Sequence, residues 1–156
     1  MVRKSATPPK TVLQFKRLTA DAKPPYRATD EAACFDLYAN DTVRIYPQRG
    51  QDKAYMIPTG IALYIPSGYH VQIYLRSSTG LKTKLRLANG TGIIDSDYTK
   101  EVMLLVENIG VSAHTISKGE RIAQMLLIKN VPTTLEEVEE ATKEGEHDGF
   151  GSTGQA

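Results

Sequence analysis

The chain has 156 residues, 40% apolar and 24% charged, which suits one globular domain with room for a core. A formal charge of +1 gives no strong draw toward nucleic acid or a membrane surface, and neither is expected as a partner. A lone cysteine, Cys34, and three histidines leave neither an internal disulfide nor a zinc site to build.

No apolar run approaches the length of a membrane span, and residues 1–10 lack the apolar stretch of a signal peptide. An intracellular, cytoplasmic location is the expectation. In chain order, residues 12–17, 33–39 and 43–46 read as short strands. Residues 60–65 alternate, with Ile61, Leu63 and Ile65 aligned, and residues 69–76 alternate with Tyr69, Val71, Ile73 and Leu75 on one face. The run 102–106 is continuously apolar and reads as a strand buried on both faces, and 121–128 is similar. Turn signals fall at Pro24-Pro25, Pro47, Pro58, Pro66-Ser67-Gly68, Asn89-Gly90 and Lys118-Gly119. Many short strands with regular turns predict an all-β sandwich or barrel. A short helix is expected after Ser77-Ser78. Residues 135–142 have helical composition but are acidic and thinly apolar, so they read as a connector to a tail.

Several segments look chemical. Asn89-Gly90-Thr91-Gly92 is a strong hairpin signal, and Ile93-Ile94-Asp95-Ser96-Asp97-Tyr98 follows with two carboxylates and a ring. They form either a solvated turn or a site. Arg76-Ser77-Ser78-Thr79-Gly80 closes an alternating strand with a phosphate-gripping cation and hydroxyls, or else simply starts a helix. Gln124 sits inside an apolar run, where it is either a satisfied core amide or a ligand contact. Asp36, in Ala33-Cys34-Phe35-Asp36-Leu37-Tyr38-Ala39, needs a backbone donor, an arginine or metal-bound water as partner. Gly149-Phe150-Gly151-Ser152-Thr153-Gly154 cannot fold on its own, offers donors suited to phosphate, and frames an aromatic without a local core.

These segments, with Gly119-Glu120-Arg121-Ile122-Ala123-Gln124, resemble in order and spacing the five motifs of the trimeric deoxyuridine triphosphatase (dUTPase) family, from about residue 33 to the C-terminus. The resemblance implies an all-β, jelly-roll or β-barrel-like fold with at most one or two short helices and a flexible C-terminal tail. It implies a core over residues 1–141, with the order of 1–10 left open. Residues 142–156 would form an arm that closes over a neighbouring subunit's active site. The implied activity is Mg2+-dependent hydrolysis of dUTP to dUMP and pyrophosphate by a homotrimer with shared sites. That reaction limits uracil incorporation into DNA and supplies dUMP. The dCTP deaminase branch of the same fold and a nucleotide-responsive regulatory trimer are the alternatives.

Carried over residue by residue, Asp95 would be the general base that activates the attacking water. Tyr98 would pack on the deoxyribose, while Asn89, Gly92 and Ile94 would form the uracil pocket. Arg76, Ser77, Ser78 and Gln124 would bind the triphosphate, and Asp36 would reach Mg2+ through water. Phe150 would stack on uracil, with Gly151, Ser152 and Thr153 around the phosphates. Asp97 is expected on the opposite face of an alternating strand, in a structural part. Gly145 stands where the family usually carries an arginine, and Lys143 lies two residues earlier.

Overall fold

The computed structural model describes residues 10–49, 53–143 and 145. Its strands are β1 (Gln14–Arg17), β2 (Phe35–Tyr38), β3 (Val43–Ile45), β4 (Tyr55–Tyr64), β5 (Tyr69–Leu75), β6 (Leu85–Leu87), β7 (Gly92–Ile94), β8 (Glu101–Asn108), β9 (His114–Ile116) and β10 (Arg121–Lys129). One six-residue helix, α1 (Ser77–Lys82), follows β5 as expected. No described helix is long and apolar enough to cross a membrane.

Two four-stranded sheets, in the orders β1-β4-β8-β6 and β2-β10-β5-β7, and a small β3-β9 pair make up the all-β fold. Every described ladder is antiparallel, and no two strands consecutive in sequence pair with each other. Each connection therefore crosses between sheets, a jelly-roll-like arrangement. The core is one cluster that includes Leu37, Ile57, Leu63, Val71, Ile73, Leu104, Val106 and Ile122. Each such side chain contributes roughly 1.5–3 kcal/mol on leaving water.

Three expectations are corrected here. β8 is buried on one face only: Val102, Leu104, Val106 and Asn108 are buried, while Met103 and Leu105 are half-buried. β10 likewise alternates at its centre, with Ala123 and Met125 inside and Gln124 on the outer face. The Asn89-Gly90 turn forms, with Gly90 at φ +69°, but it does not make a hairpin. β6 before it pairs with β8 and β7 after it pairs with β5, so the turn carries the chain from one sheet to the other.

Pro58 does not interrupt a strand but lies within β4, beside a register shift between Pro58 and Ala62. A proline lacks the ladder donor and is tolerated at such an irregularity. Gly60 within the bulge has φ +68°, and a side chain there would come within 2.7 Å of Ala22 Cβ and Asn40 Cγ. The bulge is tied by Thr59 Oγ1 to Val102 O (2.7 Å) and by the Gly60 amide to Glu101 Oε1 (2.8 Å). Residues 130–143 carry no regular secondary structure, which agrees with a connector rather than a helix.

Candidate active site

Asp36 sits on the outer face of β2, directly opposite Gln124 of β10, and is 9% exposed. Arginines take both of its oxygens. Arg76 Nε lies 3.0 Å from Oδ1 and Arg121 Nη1 lies 3.1 Å from Oδ2. Of the partners open to Asp36 from sequence, the structure selects arginine, and twice over. Arg76 is the residue before α1, where it makes no side-chain cap; its guanidinium serves Asp36 and also donates to Arg121 O at 3.4 Å. Arg121 is the functional candidate that sequence reasoning passed over. Its only signal was a cation inside the Gly119-to-Gln124 segment, and its partner lies 85 residues away.

Arg76 stands between two depressions. One, of about 310 Å³, is lined by Ala33, Cys34, Asp36, Arg76, Ser77 and Gln124 among others. The second, of about 390 Å³, takes Ser78 with Arg76, Lys82, His114, Glu120 and Arg121. The first turn of α1 thus sends its two serines into different depressions. Gln124 makes a long amide contact to Leu75 O at 3.4 Å, which leaves its carbonyl oxygen free for a ligand.

A third pocket, of about 240 Å³, opens between the sheets. Asn89, Gly92, Ile94 and Tyr98 line it with Met56, Met103, Leu104 and Leu105. Gly92 pairs with Ile73, and a side chain on it would approach Ile73 Cβ to 3.2 Å. β7 ends at Ile94, and the Tyr98 amide donates to Asp95 O at 3.2 Å, so Asp95 to Tyr98 is a turn. Asp97 therefore occupies a turn position, not the far face of a strand. The Tyr98 hydroxyl donates to Glu101 O at 2.8 Å. The exposed Asp95 carboxylate has no hydrogen bond or ion pair among the described residues.

No residue lines both the Tyr98 pocket and either depression at Arg76. A single chain brings Arg76, Ser77, Gln124 and Asp36 together, and separately gathers Asn89, Gly92, Ile94 and Tyr98. Phe150, Gly151, Ser152 and Thr153 lie outside the described residues. Among the described residues no three His, Cys, Asp or Glu side chains could cage a metal. A carboxylate offers about four acceptor positions, so Asp36 retains capacity for a water beyond its two arginines. The donor set fits a cation carried by phosphate oxygens and water, and not one held by protein alone.

A sequence profile of the dUTPase family matches residues 20–154. The deoxyuridine 5'-triphosphate nucleotidohydrolase of Zymomonas mobilis is 38% identical over 149 residues, covering 93% of this chain and 99% of its own. The protein of the same name from Nautilia profundicola is 42% identical over 144 residues, covering 92% of this chain and 99% of its own. Among solved structures, the dUTPase of Staphylococcus bacteriophage 80alpha with dUpNHpp superposes with a TM-score of 0.83. It is 28% identical and covers 94% of this chain and 100% of its own.

Proposed function

Because this chain belongs to the dUTPase family, we propose that it hydrolyses dUTP to dUMP and pyrophosphate by in-line attack of water on the α-phosphorus. The contrast between its two carboxylates carries the proposal. Both oxygens of Asp36 are engaged by arginine, whereas Asp95 is exposed and has no partner among the described residues. A carboxylate with no other partner is well placed to hold water in line and accept its proton, whereas the oxygens of Asp36 already accept from two arginines. Asp95 is accordingly the general base.

The pocket beside it supplies selectivity. Its size and apolar walls suit a pyrimidine, and Asn89 provides the amide edge that reads uracil, with Gly92 and Ile94 closing the floor. A site built to hydrogen-bond uracil rejects cytosine strongly, because the mismatch leaves buried polar groups unpaired. Tyr98 covers the sugar and leaves no room for a 2′-hydroxyl.

Arg76, oriented by Asp36, grips phosphate with Ser77 and Gln124 on one side and Ser78 on the other. Asp36 would hold Mg2+ through water, and the ion would supply charge neutralisation for the triphosphate. The chain acts as a homotrimer, a reading supported by the separation of its base pocket from its phosphate cluster within one chain. A complete site would then take the two clusters from different subunits. The arm over 142–156 closes from a neighbour, with Phe150 on the base and Gly151, Ser152 and Thr153 at the phosphates. In the cytoplasm, the reaction would keep uracil out of DNA and supply dUMP.

The test is pyrophosphate release from dUTP, dTTP, dCTP and UTP by purified protein with Mg2+. Turnover of dUTP alone is expected. No release from dUTP, or conversion of dCTP to dUTP, would overturn the proposal.

A further inference from the structure

Tyr98 lines the pocket but is 41% exposed, so packing covers only part of its ring. Its hydroxyl is tethered to the backbone carbonyl of Glu101 at 2.8 Å. The same residue reaches the other way with its side chain. Glu101 Oε1 accepts the buried Gly60 amide at 2.8 Å, inside the β4 bulge. There the ladder between β4 and β8 is out of step: Pro58 faces Met103, and the next pair is Ala62 with Glu101. The bulge itself is closely packed. Gly60 is packed against Ala22 and Asn40 so closely that no Cβ would fit, and Leu18 N donates to Gly60 O at 2.8 Å.

We propose that Glu101 is a positioning residue for sugar discrimination: its carboxylate clamps β8 to the closely packed Gly60 bulge, and its carbonyl thereby fixes the ring of Tyr98. The inference rests on the reading of Tyr98 as the group that covers the deoxyribose. With the clamp intact, the hydroxyl anchor lies where the ring stands over the pocket, and a ribose 2′-hydroxyl finds no space. Without it, the Gly60 amide loses its acceptor inside the fold and the start of β8 shifts. The ring then yields, and UTP gains access.

The experiment measures kcat/KM for dUTP and for UTP in the full-length protein. Glu101→Ala should lower the dUTP-to-UTP preference on the order of tenfold, since small misplacements at a positioning group are costly. Glu101→Gln keeps an oxygen acceptor for the Gly60 amide and should hold the preference within about twofold. Tyr98→Phe, which removes only the tethered oxygen, should lose preference as Glu101→Ala does. The double variant should fall no further, because both changes break one linkage. Should Glu101→Ala fail to fold, Glu101→Asp, one methylene too short to span, replaces it and should show a smaller loss. An unchanged preference in Glu101→Ala or Glu101→Asp, or in Tyr98→Phe, overturns the inference. Tyr98→Ala separates the two levels: if it too leaves the preference unchanged, the sugar role of Tyr98 fails rather than the Glu101 clamp alone.

Discussion

The amide of Tyr98 donates to the carbonyl of Asp95 at 3.2 Å, so one turn holds both the exposed carboxylate and the ring that lines the pocket. The base and the sugar contact therefore share one turn of backbone, although their chemical tasks are separate. Asp95→Asn preserves the shape of this turn and removes only the proton acceptor. The variant should hydrolyse dUTP roughly 10²–10⁴-fold more slowly, with nucleotide affinity unchanged by calorimetry. Turnover near the wild-type rate would exclude Asp95 as the base.

The two arginines on Asp36 make a second prediction. Asp36→Ala leaves a pair of guanidiniums without their shared acceptor and should lower unfolding stability by about 2 kcal/mol. Arg121→Ala should cost about 1 kcal/mol, because its side chain is 42% exposed and solvent screens the pair. It should also raise KM for dUTP by loosening the orientation of Arg76. Denaturant titration together with steady-state kinetics checks both. An Arg121→Ala protein with normal stability and normal KM would remove Arg121 from the site.

Gly145 is exposed, and a side chain there would meet none of the described residues within 4 Å. Gly145→Arg therefore clashes with no described residue and supplies the cation that dUTPases usually carry at this point of the fifth motif. A planar guanidinium binds phosphate in bidentate fashion, as neither glycine nor the nearby Lys143 can. KM for dUTP should fall about three- to tenfold. An unchanged KM would show that the arm does not meet phosphate there.

Lys118 hydrogen-bonds Asp21 and holds its carboxyl below the ordinary carboxylate value, with a smaller contribution from Thr19. A depressed folded pKa means the stabilisation is complete above the unfolded pKa of about 4 and is lost as pH falls through the folded value. Lys118→Ala should return the Asp21 titration, followed by NMR, toward its ordinary midpoint. The effect should shrink in high salt, since both groups are exposed. An Asp21 midpoint identical in the two proteins would show that the pair carries no weight.

The sequence made the all-β class legible where period two was strong. β5 matches its expected alternation almost to the residue, because one face meets the core and the other does not. β6 and β9, at three residues each, are too short to carry a period and went unseen. Pro58 concealed the first half of β4 because a breaker and a bulge residue look alike in one dimension. The Asn89-Gly90 turn was legible as a turn, but local chemistry could not say that its flanking strands join different sheets. The same limit hid Arg121: its contact with Asp36 is made by strand pairing between residues far apart in the chain. Asn89, Gly92, Ile94 and Tyr98 lie within one short segment and line one pocket, so their nearness needed no long-range pairing.

Hydrolysis of dUTP in 18O-labelled water tests the central claim most directly, since it reports which phosphorus the water attacks. With Asp95 directing water to the α-phosphorus, one labelled oxygen should appear in dUMP and none in pyrophosphate by mass spectrometry. Label in pyrophosphate would contradict the account.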